Sequence, residues 1–416
     1  MTATPAAPGG SSGRLLIRDL AQLATPGGGQ APLRGDELSR TQVVEDAFVL
    51  CESGRIAEVG RMRDLPRLEG ELEELDGHGL CAIPGLVDCH AHACFAGDRV
   101  EEFALRAGGA IYEELQAAGG GILSTVRATR AASEWELREV VSRHRGWMLR
   151  AGTTTFEGKS GYGLDRDTEL ASLRAIAAEG GVPTWLGAHA VPPEFAAADA
   201  YIEFALAEVL PEAALIAEAA DVFVEQGAFS ADQARRYLTA CRNAGLALRL
   251  HGDQFTEQGA VALAIELGAR SVDHLEATGA EGIRLLARSD VCAVLLPASA
   301  LYLGRPMPPA RALVDQGATV ALATDFNPGS AFCESLPLVC SLACTQLHLS
   351  PAEALAACTV NAAHVLGRAG SIGRLARGYT ADLVLIDAPD WRYLAYHLGG
   401  DLVTTVVVGG SLTWRR

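Results

Sequence analysis

Histidine and aspartate residues stand at the ends of several short apolar runs in this 416-residue chain. They are His90 and His92 in GLVDCHAH, His189 in GAHA, His251, His274 in SVDH, and Asp325 in ATDFNPG. Imidazole nitrogens and carboxylate oxygens are the ligands of catalytic zinc and iron sites. Because such a metal lowers the pKa of a bound water to about 7, these residues predict a metal-dependent hydrolase.

His90 and His92 are separated by a single residue in a strand-like run. Alternate side chains point to the same side of a strand, so both imidazoles can share one ion. His251 and Asp325 would complete three nitrogens and one oxygen, with room for water. Asp325 can then move the proton of the water to the leaving nitrogen, while His274 orients the water or stabilises the oxyanion. The alternative is a pair of core histidines with local partners.

Eight strand-like runs alternate with helical stretches through the middle of the chain. These runs cover residues 85–92, 153–158, 183–190, 220–225, 246–251, 271–274, 291–297 and 319–325. Short continuous apolar strands alternating with helices are typical of an α/β (β/α)₈ TIM-like barrel, whose active site collects at the C-terminal ends of the strands. All six positions named above fall at such ends.

Both ends of the chain carry short β-like runs, at 15–17, 46–51, 54–59 and 79–83, and again at 381–387 and 403–410. Neither set can enclose a core alone, so we expect one small β-sandwich domain built from both ends. The predicted domains are a flexible tail at 1–12, a composite β-domain at 13–84 plus 369–416, and a hydrolase barrel at 85–368.

Composition narrows the possible partners. The net charge of −17 argues against nucleic acid and anionic membranes, although a local arginine could still bind a small anion. The ten cysteines include no CxxC pair, and the N-terminus resembles no signal peptide. No apolar run approaches the ~18 residues of a membrane span. We therefore expect a soluble cytoplasmic enzyme with reduced thiols.

The metal-site pattern, inside a two-ended β-domain, resembles the amidohydrolase superfamily. Further stretches narrow the resemblance to the imidazolonepropionase family of histidine degradation. They are HACFAGDR (92–99), AGGGI (118–122), TVRATR (125–130), KSGYG (159–163), GAHAVPP (187–193), DHLE (273–276) and ATDFNPGS (323–330). The resemblance covers nearly the whole chain, and KSGYG, GAHAVPP and ATDFNPGS are its most specific motifs.

The resemblance implies hydrolysis of 4-imidazolone-5-propanoate to N-formimidoyl-L-glutamate, by attack of a metal-bound hydroxide on the ring carbonyl. It also implies one Zn²⁺ or Fe³⁺ per subunit and a homodimer. His90, His92, His251 and Asp325 match the metal ligands of the family. The substrate-binding positions match Arg99, Tyr162, His189, Gln254, Asn327, Gly329 and Ser330. A propionate tail favours a guanidinium partner such as Arg99.

Three alternatives stay open. A cytosine- or guanine-type deaminase is the runner-up, although related deaminases have a proton-shuttling Glu where this chain has Gln254. A metal-free scaffold that only binds partners is the second. Glu225, at the end of the fourth barrel strand, could bridge a second metal; we expect instead that Glu225 lines the wall. Lys159, the one lysine, is expected to anchor the KSGYG loop.

Overall fold

The computed structural model describes residues 13–109 and 120–416. The predicted tail at 1–12 and the first two residues of the AGGGI motif lie outside the described residues. Helices in the described ranges all fall short of the length and apolar character needed to cross a bilayer.

Eight parallel strands form one sheet, in the order β6 to β13. Their bounds are β6 Leu86–Asp88, β7 Thr153–Lys159, β8 Val182–Ala188, β9 Ala219–Val224, β10 Ala247–Gly252, β11 Ser271–His274, β12 Cys292–Leu295 and β13 Val320–Leu322. Each overlaps one of the eight predicted runs. Because parallel strands are covered on both faces, their residues are almost all buried, and the predicted (β/α)₈ barrel is confirmed.

The barrel closes at its C-terminal edge through the segments that carry the predicted ligands. Ala91 and Phe326 form a parallel bridge between the residues that follow β6 and β13. His92 N donates to Phe326 O at 2.9 Å, and Asp325 N donates to His90 O at 3.0 Å. Closure therefore fixes the backbone of His90 and His92 against that of Asp325.

Helices cover the outer face of the barrel. They span Val100–Ala107, Ile122–Ala131, Glu134–Arg150, Arg166–Ala178, Ala198–Phe204, Leu210–Ala213, Ala231–Asn243, Ala260–Leu267, Ala280–Ala287, Pro297–Tyr302, Ala310–Asp315, Leu336–Thr345, Pro351–Ala356, Ala362–Val365 and Tyr393–Tyr396. Short 3₁₀ turns lie at Gly35–Glu37 and Met62–Asp64, and π-helical turns at Ala205–Val209 and Ala357–Asn361. Capping boxes start three helices, with Ser133, Ser230 and Ser350 as the N-caps.

The second sheet has eight strands from both ends of the chain. They are β1 Arg14–Pro26, β2 Thr41–Glu52, β3 Arg55–Arg61, β4 Glu73–Asp76, β5 Cys81–Pro84, β14 Leu383–Ile386, β15 Val403–Val408 and β16 Ser411–Arg415. The two ends meet where β5 pairs with β14. Buried residues from both, such as Ile17 and Leu385, share one apolar cluster.

The prediction of a small β-domain from both chain ends is thus confirmed. This domain is a mixed sheet, with parallel pairing of β1 to β4 and β5, and with register shifts where β1 pairs with β2 and where β2 pairs with β3. The boundaries drawn at residues 84 and 369 stay a prediction.

Candidate active site and metal centre

The predicted ligands converge at the C-terminal mouth of the barrel. Asp325 Oδ1 lies 3.4 Å from His90 Nε2 and 3.4 Å from His92 Nε2. His251 Nε2 lies 3.3 Å from His92 Nε2. All four side chains are buried. Residues from β10 and from the segments after β6 and β13 thus place their donor atoms around one point.

The donor set fits a bound cation. Within the described residues, His90 Nε2 is buried without a hydrogen-bond partner. Two imidazole nitrogens 3.3 Å apart, beside a carboxylate, form an arrangement that a metal satisfies better than a shared proton. The side chains of His90, His92, His251 and Asp325 can therefore hold a divalent metal ion.

His274 lies beside this centre, as its predicted catalytic role requires. Donor atoms of His90, His251 and His274 lie within 4.8 Å of one another, as do those of His90, His92 and Asp325. The His274 ring centroid is 5.6 Å from that of His90 and 5.4 Å from that of His251. His274 can therefore contact either the metal or a molecule bound to it.

Two buried carboxylates orient the ligand histidines. Asp273 Oδ2 lies 2.6 Å from His90 Nδ1, and Asp221 Oδ1 lies 3.1 Å from His251 Nδ1. A carboxylate that accepts the Nδ1 proton leaves the Nε2 lone pair for the metal. Sequence reasoning missed both residues. Their signal was present, since each is an acid inside an apolar barrel strand.

Backbone strain accompanies the site. His274 and Asp325 have φ values of +83° and +55°, in the left-handed region that non-glycine residues rarely adopt. Leu275 follows with φ of +70°. Such residues cost of order 1–3 kcal/mol each and persist only where the surrounding structure holds them. The strain turns two side chains at strand ends into the barrel mouth.

The KSGYG loop is held by Glu169, a residue that sequence reasoning missed. Its buried carboxylate accepts the backbone N–H groups of Gly161, Gly163 and Leu164 at 2.8–3.1 Å. The same loop places the buried Tyr162 ring 5.9 Å from His92. The expectation that Lys159 anchors this loop is wrong, since its buried ammonium group pairs with Glu157 and Asp221 of the barrel strands.

His189 is presented to the mouth as a neutral imidazole. Burial lowers its pKa to about 3, and its Nδ1 lies 2.9 Å from Gly161 O. The neutral ring therefore donates from Nδ1 and keeps Nε2 as an acceptor. Its centroid is 5.4 Å from that of His92, in a stacked arrangement, and 5.3 Å from that of Tyr162. The predicted substrate residues Tyr162 and His189 thus stand beside the metal ligands.

The Asn327 side chain organises its own loop. Its Oδ1 accepts the backbone N–H groups of Gly329 and Ser330 at 2.8 Å, and its Nδ2 donates to Asp325 O at 2.6 Å. Nδ2 also donates to Ser330 Oγ at 2.8 Å, and that hydroxyl lies 3.4 Å from Asp325 Oδ2. The loop therefore ties Ser330 to the second oxygen of Asp325.

Arg99 lies at the barrel mouth, and Glu102 fixes the orientation of its guanidinium group. Its Nε donates to Glu102 Oε2 at 2.8 Å, its Nη2 pairs with Glu102 Oε1, and Gly121 N donates to Oε2 at 2.7 Å. Gly329 packs against the Nη1 side of the same guanidinium. Glu102 takes the Nε–Nη2 edge, and among residues 13–109 and 120–416 no side chain pairs with the other edge, which can therefore bind an anion.

Glu225 is engaged by the loop that follows β10. Its carboxylate accepts the N–H groups of Phe255 at 2.8 Å and Thr256 at 3.1 Å, and the Thr256 hydroxyl. These contacts fix the chain next to Gln254, whose side chain is buried. Both oxygens of Glu225 are thus occupied by hydrogen bonds. This agrees with the expectation that Glu225 lines the wall and is not a ligand of a second metal.

Comparison with known proteins shows the family of this chain. The model of the amidohydrolase family matches residues 81–413. The chain belongs to the amidohydrolase family. A protein of Rubrobacter xylanophilus named imidazolonepropionase is 62% identical over 408 residues, covering 96% of this chain and 98% of that one. A Chloroflexus aggregans protein of the same name is 46% identical, again over 96% and 98%. Within the amidohydrolases, the chain is a member of the imidazolonepropionase family.

Solved structures show the same fold at low identity. An adenosine deaminase from Xanthomonas campestris with bound zinc has a TM-score of 0.70 at 20% identity, covering 96% of this chain and 92% of that one. Guanine deaminase of E. coli has a TM-score of 0.72 at 16% identity, covering 97% and 99%. These likenesses support the barrel and the accompanying β-domain.

Proposed function

We propose that this chain hydrolyses 4-imidazolone-5-propanoate to N-formimidoyl-L-glutamate. The observation that carries the proposal is the convergence of His90, His92, His251 and Asp325 in a chain 62% identical to a protein named imidazolonepropionase. The reaction adds water across a ring C–N bond. The hydroxyl goes to the carbonyl carbon and a proton to the leaving nitrogen.

One Zn²⁺ or Fe³⁺ held by these four residues would, when bound, acidify a water molecule and polarise the ring carbonyl. Asp325 would hold the ion and act as the general base, accepting a proton at Oδ2, to which the Ser330 hydroxyl donates at 3.4 Å. His274, held in the mouth by its strained backbone, donates to the developing oxyanion. Asp325 then delivers the proton to the leaving nitrogen.

The remaining residues bind the substrate. The free edge of Arg99 pairs with the propionate, a charge-assisted contact that places the ring over the metal ligands. Tyr162 and the Nε2 acceptor of His189, whose rings lie 5.9 Å and 5.4 Å from that of His92, contact the ring of the substrate. Gln254 supplies amide contacts. Asn327 and Gly329 act by shaping the loop that carries Ser330 and receives Arg99.

Gln254 separates this proposal from a deaminase. A glutamine cannot shuttle a proton as a carboxylate can, so proton transfer rests on Asp325 and His274. A metal-free scaffold would not need the four buried side chains that converge here, so their presence favours an enzyme. We further propose that the chain works in the cytoplasm as a homodimer, which light scattering of the purified protein would test.

The test is a turnover assay with imidazolone-propanoate generated in situ from urocanate. We expect N-formimidoyl-L-glutamate to form without release of ammonia, and metal analysis to give one equivalent of zinc or iron per chain. Cytosine and guanine, assayed in parallel, should release no ammonia. Ammonia from either, with no product from imidazolone-propanoate, would replace this proposal with a deaminase. A folded protein that holds no metal would replace it with the scaffold.

A further inference from the structure

Lys159 ends β7, and its ammonium group lies near carboxylates that contact two of the predicted metal ligands. Its side chain is fully buried. Taking an ammonium group out of water costs several kcal/mol even after relaxation, unless partners compensate for it. A buried lysine at this depth therefore needs specific acidic partners, and their identity indicates what it does.

Three carboxylates surround the ammonium group. Lys159 Nζ lies 2.6 Å from Asp221 Oδ2, 2.9 Å from Glu157 Oε2 and 3.9 Å from Asp273 Oδ2. Burial alone would lower the pKa of Lys159, but attraction to these negative charges stabilises the ammonium form and raises the pKa well above its usual range. Lys159 thus stays protonated in the folded chain.

Two of these carboxylates are the ones that orient ligand histidines. Asp221 meets Lys159 through Oδ2 and His251 Nδ1 through Oδ1. Asp273 uses Oδ2 for both His90 Nδ1 and Lys159. The Lys159 ammonium group therefore links two arms: Asp221 with His251, and Asp273 with His90. In each arm the carboxylate contacts the Nδ1 of the histidine and so fixes the rotation of its ring. Glu157 differs, since it contacts Arg249 and Thr184 instead of a ligand histidine.

We propose that Lys159 is a positioning residue for the metal centre: through Asp221 and Asp273 it fixes His251 and His90, and thereby sets the affinity for the metal. The proposal rests on the metal site of the proposed function and needs no particular substrate. Without Nζ, Asp221 Oδ2 loses a hydrogen-bond donor at 2.6 Å, and Asp273 Oδ2 loses a positive charge at 3.9 Å. Their carboxylates can then turn, and the two imidazoles lose their fixed orientation.

Lys159→Met tests this, since methionine fills similar volume without charge. Glu157→Gln is the matched control, because it removes the charge of an equally buried partner of Lys159 and leaves Asp221 and Asp273 in place. The double variant K159M/E157Q removes one positive and one negative charge, so the net charge of the buried cluster is preserved. Far-UV circular dichroism of each metal-free protein reports folding.

Metal affinity is measured by competition with a chromogenic chelator, in the absence of substrate. We expect K159M and K159M/E157Q to raise the Kd for Zn²⁺ by about 10–100-fold, the usual effect of losing an outer partner of a ligand. E157Q should change it less than about threefold. The visible bands of the Co²⁺-loaded protein should shift in both Lys159 variants and stay in place in E157Q, because they report ligand geometry.

A folded K159M/E157Q protein with wild-type metal affinity and unchanged Co²⁺ bands would overturn the proposal and leave Lys159 a structural counter-ion. If neither Lys159 variant folds, Asp221→Asn decides. It breaks one arm at nearly constant volume, and we expect a Kd raised about tenfold. Wild-type affinity in D221N would overturn the proposal. Because no substrate is used, a wrong substrate assignment would leave these results unchanged.

Discussion

Gly329 has no room for a side chain beside Arg99. A Cβ placed on Gly329 would lie 2.0 Å from Arg99 Nη1 and 2.8 Å from its Cζ. The backbone of Gly329 is not left-handed, so alanine is disfavoured here by the guanidinium and not by conformation. The glycine thus reserves the position that Arg99 occupies at the barrel mouth.

Gly329→Ala should displace Arg99 and weaken binding of the propionate. We expect KM to rise about tenfold, equivalent to about 1.4 kcal/mol, with a smaller change in kcat. Steady-state kinetics with imidazolone-propanoate measures both. Gly370→Ala is the control, since a Cβ there meets nothing within 4 Å and the backbone is again not left-handed. Equal kinetics for the two variants would contradict the role of Arg99.

Asp325→Asn should abolish turnover. An amide cannot accept the proton of the water, and a missing general base costs about 10²–10⁴-fold in rate. Metal content must be measured on the same sample, because Asp325 is also a proposed ligand. Ser330→Ala, which removes the hydroxyl 3.4 Å from Asp325 Oδ2, should cost far less. Near-normal activity of metal-loaded D325N would remove the proton-transfer role from Asp325.

Glu225→Gln should leave the metal stoichiometry at one per chain. The Glu225 carboxylate accepts N–H groups of Phe255 and Thr256, so its loss loosens the loop next to Gln254. We expect a raised KM and an unchanged metal content by elemental analysis. Two metals per wild-type chain, reduced to one in E225Q, would instead assign Glu225 to a second ion.

His144 should make stability fall in mild acid. Its ring packs against Phe95 and Phe326, and Nδ1 lies 2.8 Å from Ala93 O. Burial lowers its pKa from 6.5 to about 4. Since the folded pKa is depressed for a base, the unfolded chain binds more protons between these values. Stability is therefore fully present above about pH 6.5 and is lost as the pH falls towards about 4.

Chemical denaturation of wild type and His144→Gln between pH 7 and pH 4 measures this loss. Glutamine cannot gain a charge in this range, so the wild type should lose about 3 kcal/mol more than the variant. The difference between the two curves removes the contribution of groups that titrate in both. Parallel curves would show that His144 does not titrate with a depressed pKa.

Much of the fold was predictable because buried parallel strands are continuous apolar runs, and all eight appeared in the sequence. The strands that sequence reasoning missed are β4 and β16, whose residues are mostly exposed and polar. Their place in the sheet comes from pairing with β1 and β15, which is not visible in a local pattern.

The site was predictable where chemistry determines residue type and position. His90, His92, His251 and Asp325 could be found at strand ends, and the structure brings them together. Glu102 and Glu169 could not, because each is an ordinary acid on a helix whose partner is set by tertiary packing. Asn327 and Ser330 could likewise be placed in one loop. The hydrogen bonds from the backbone N–H groups of Gly329 and Ser330 to the Asn327 side chain could not be predicted.

Lys159 is the one lysine in the chain, and the barrel encloses it completely. Native protein therefore exposes no lysine ε-amine to acylating reagents, and crosslinkers directed at lysine would find none on its surface. Labelling of this single residue requires the barrel to open. The rate at which an amine-reactive ester modifies Lys159 therefore measures how often the core of the barrel unfolds.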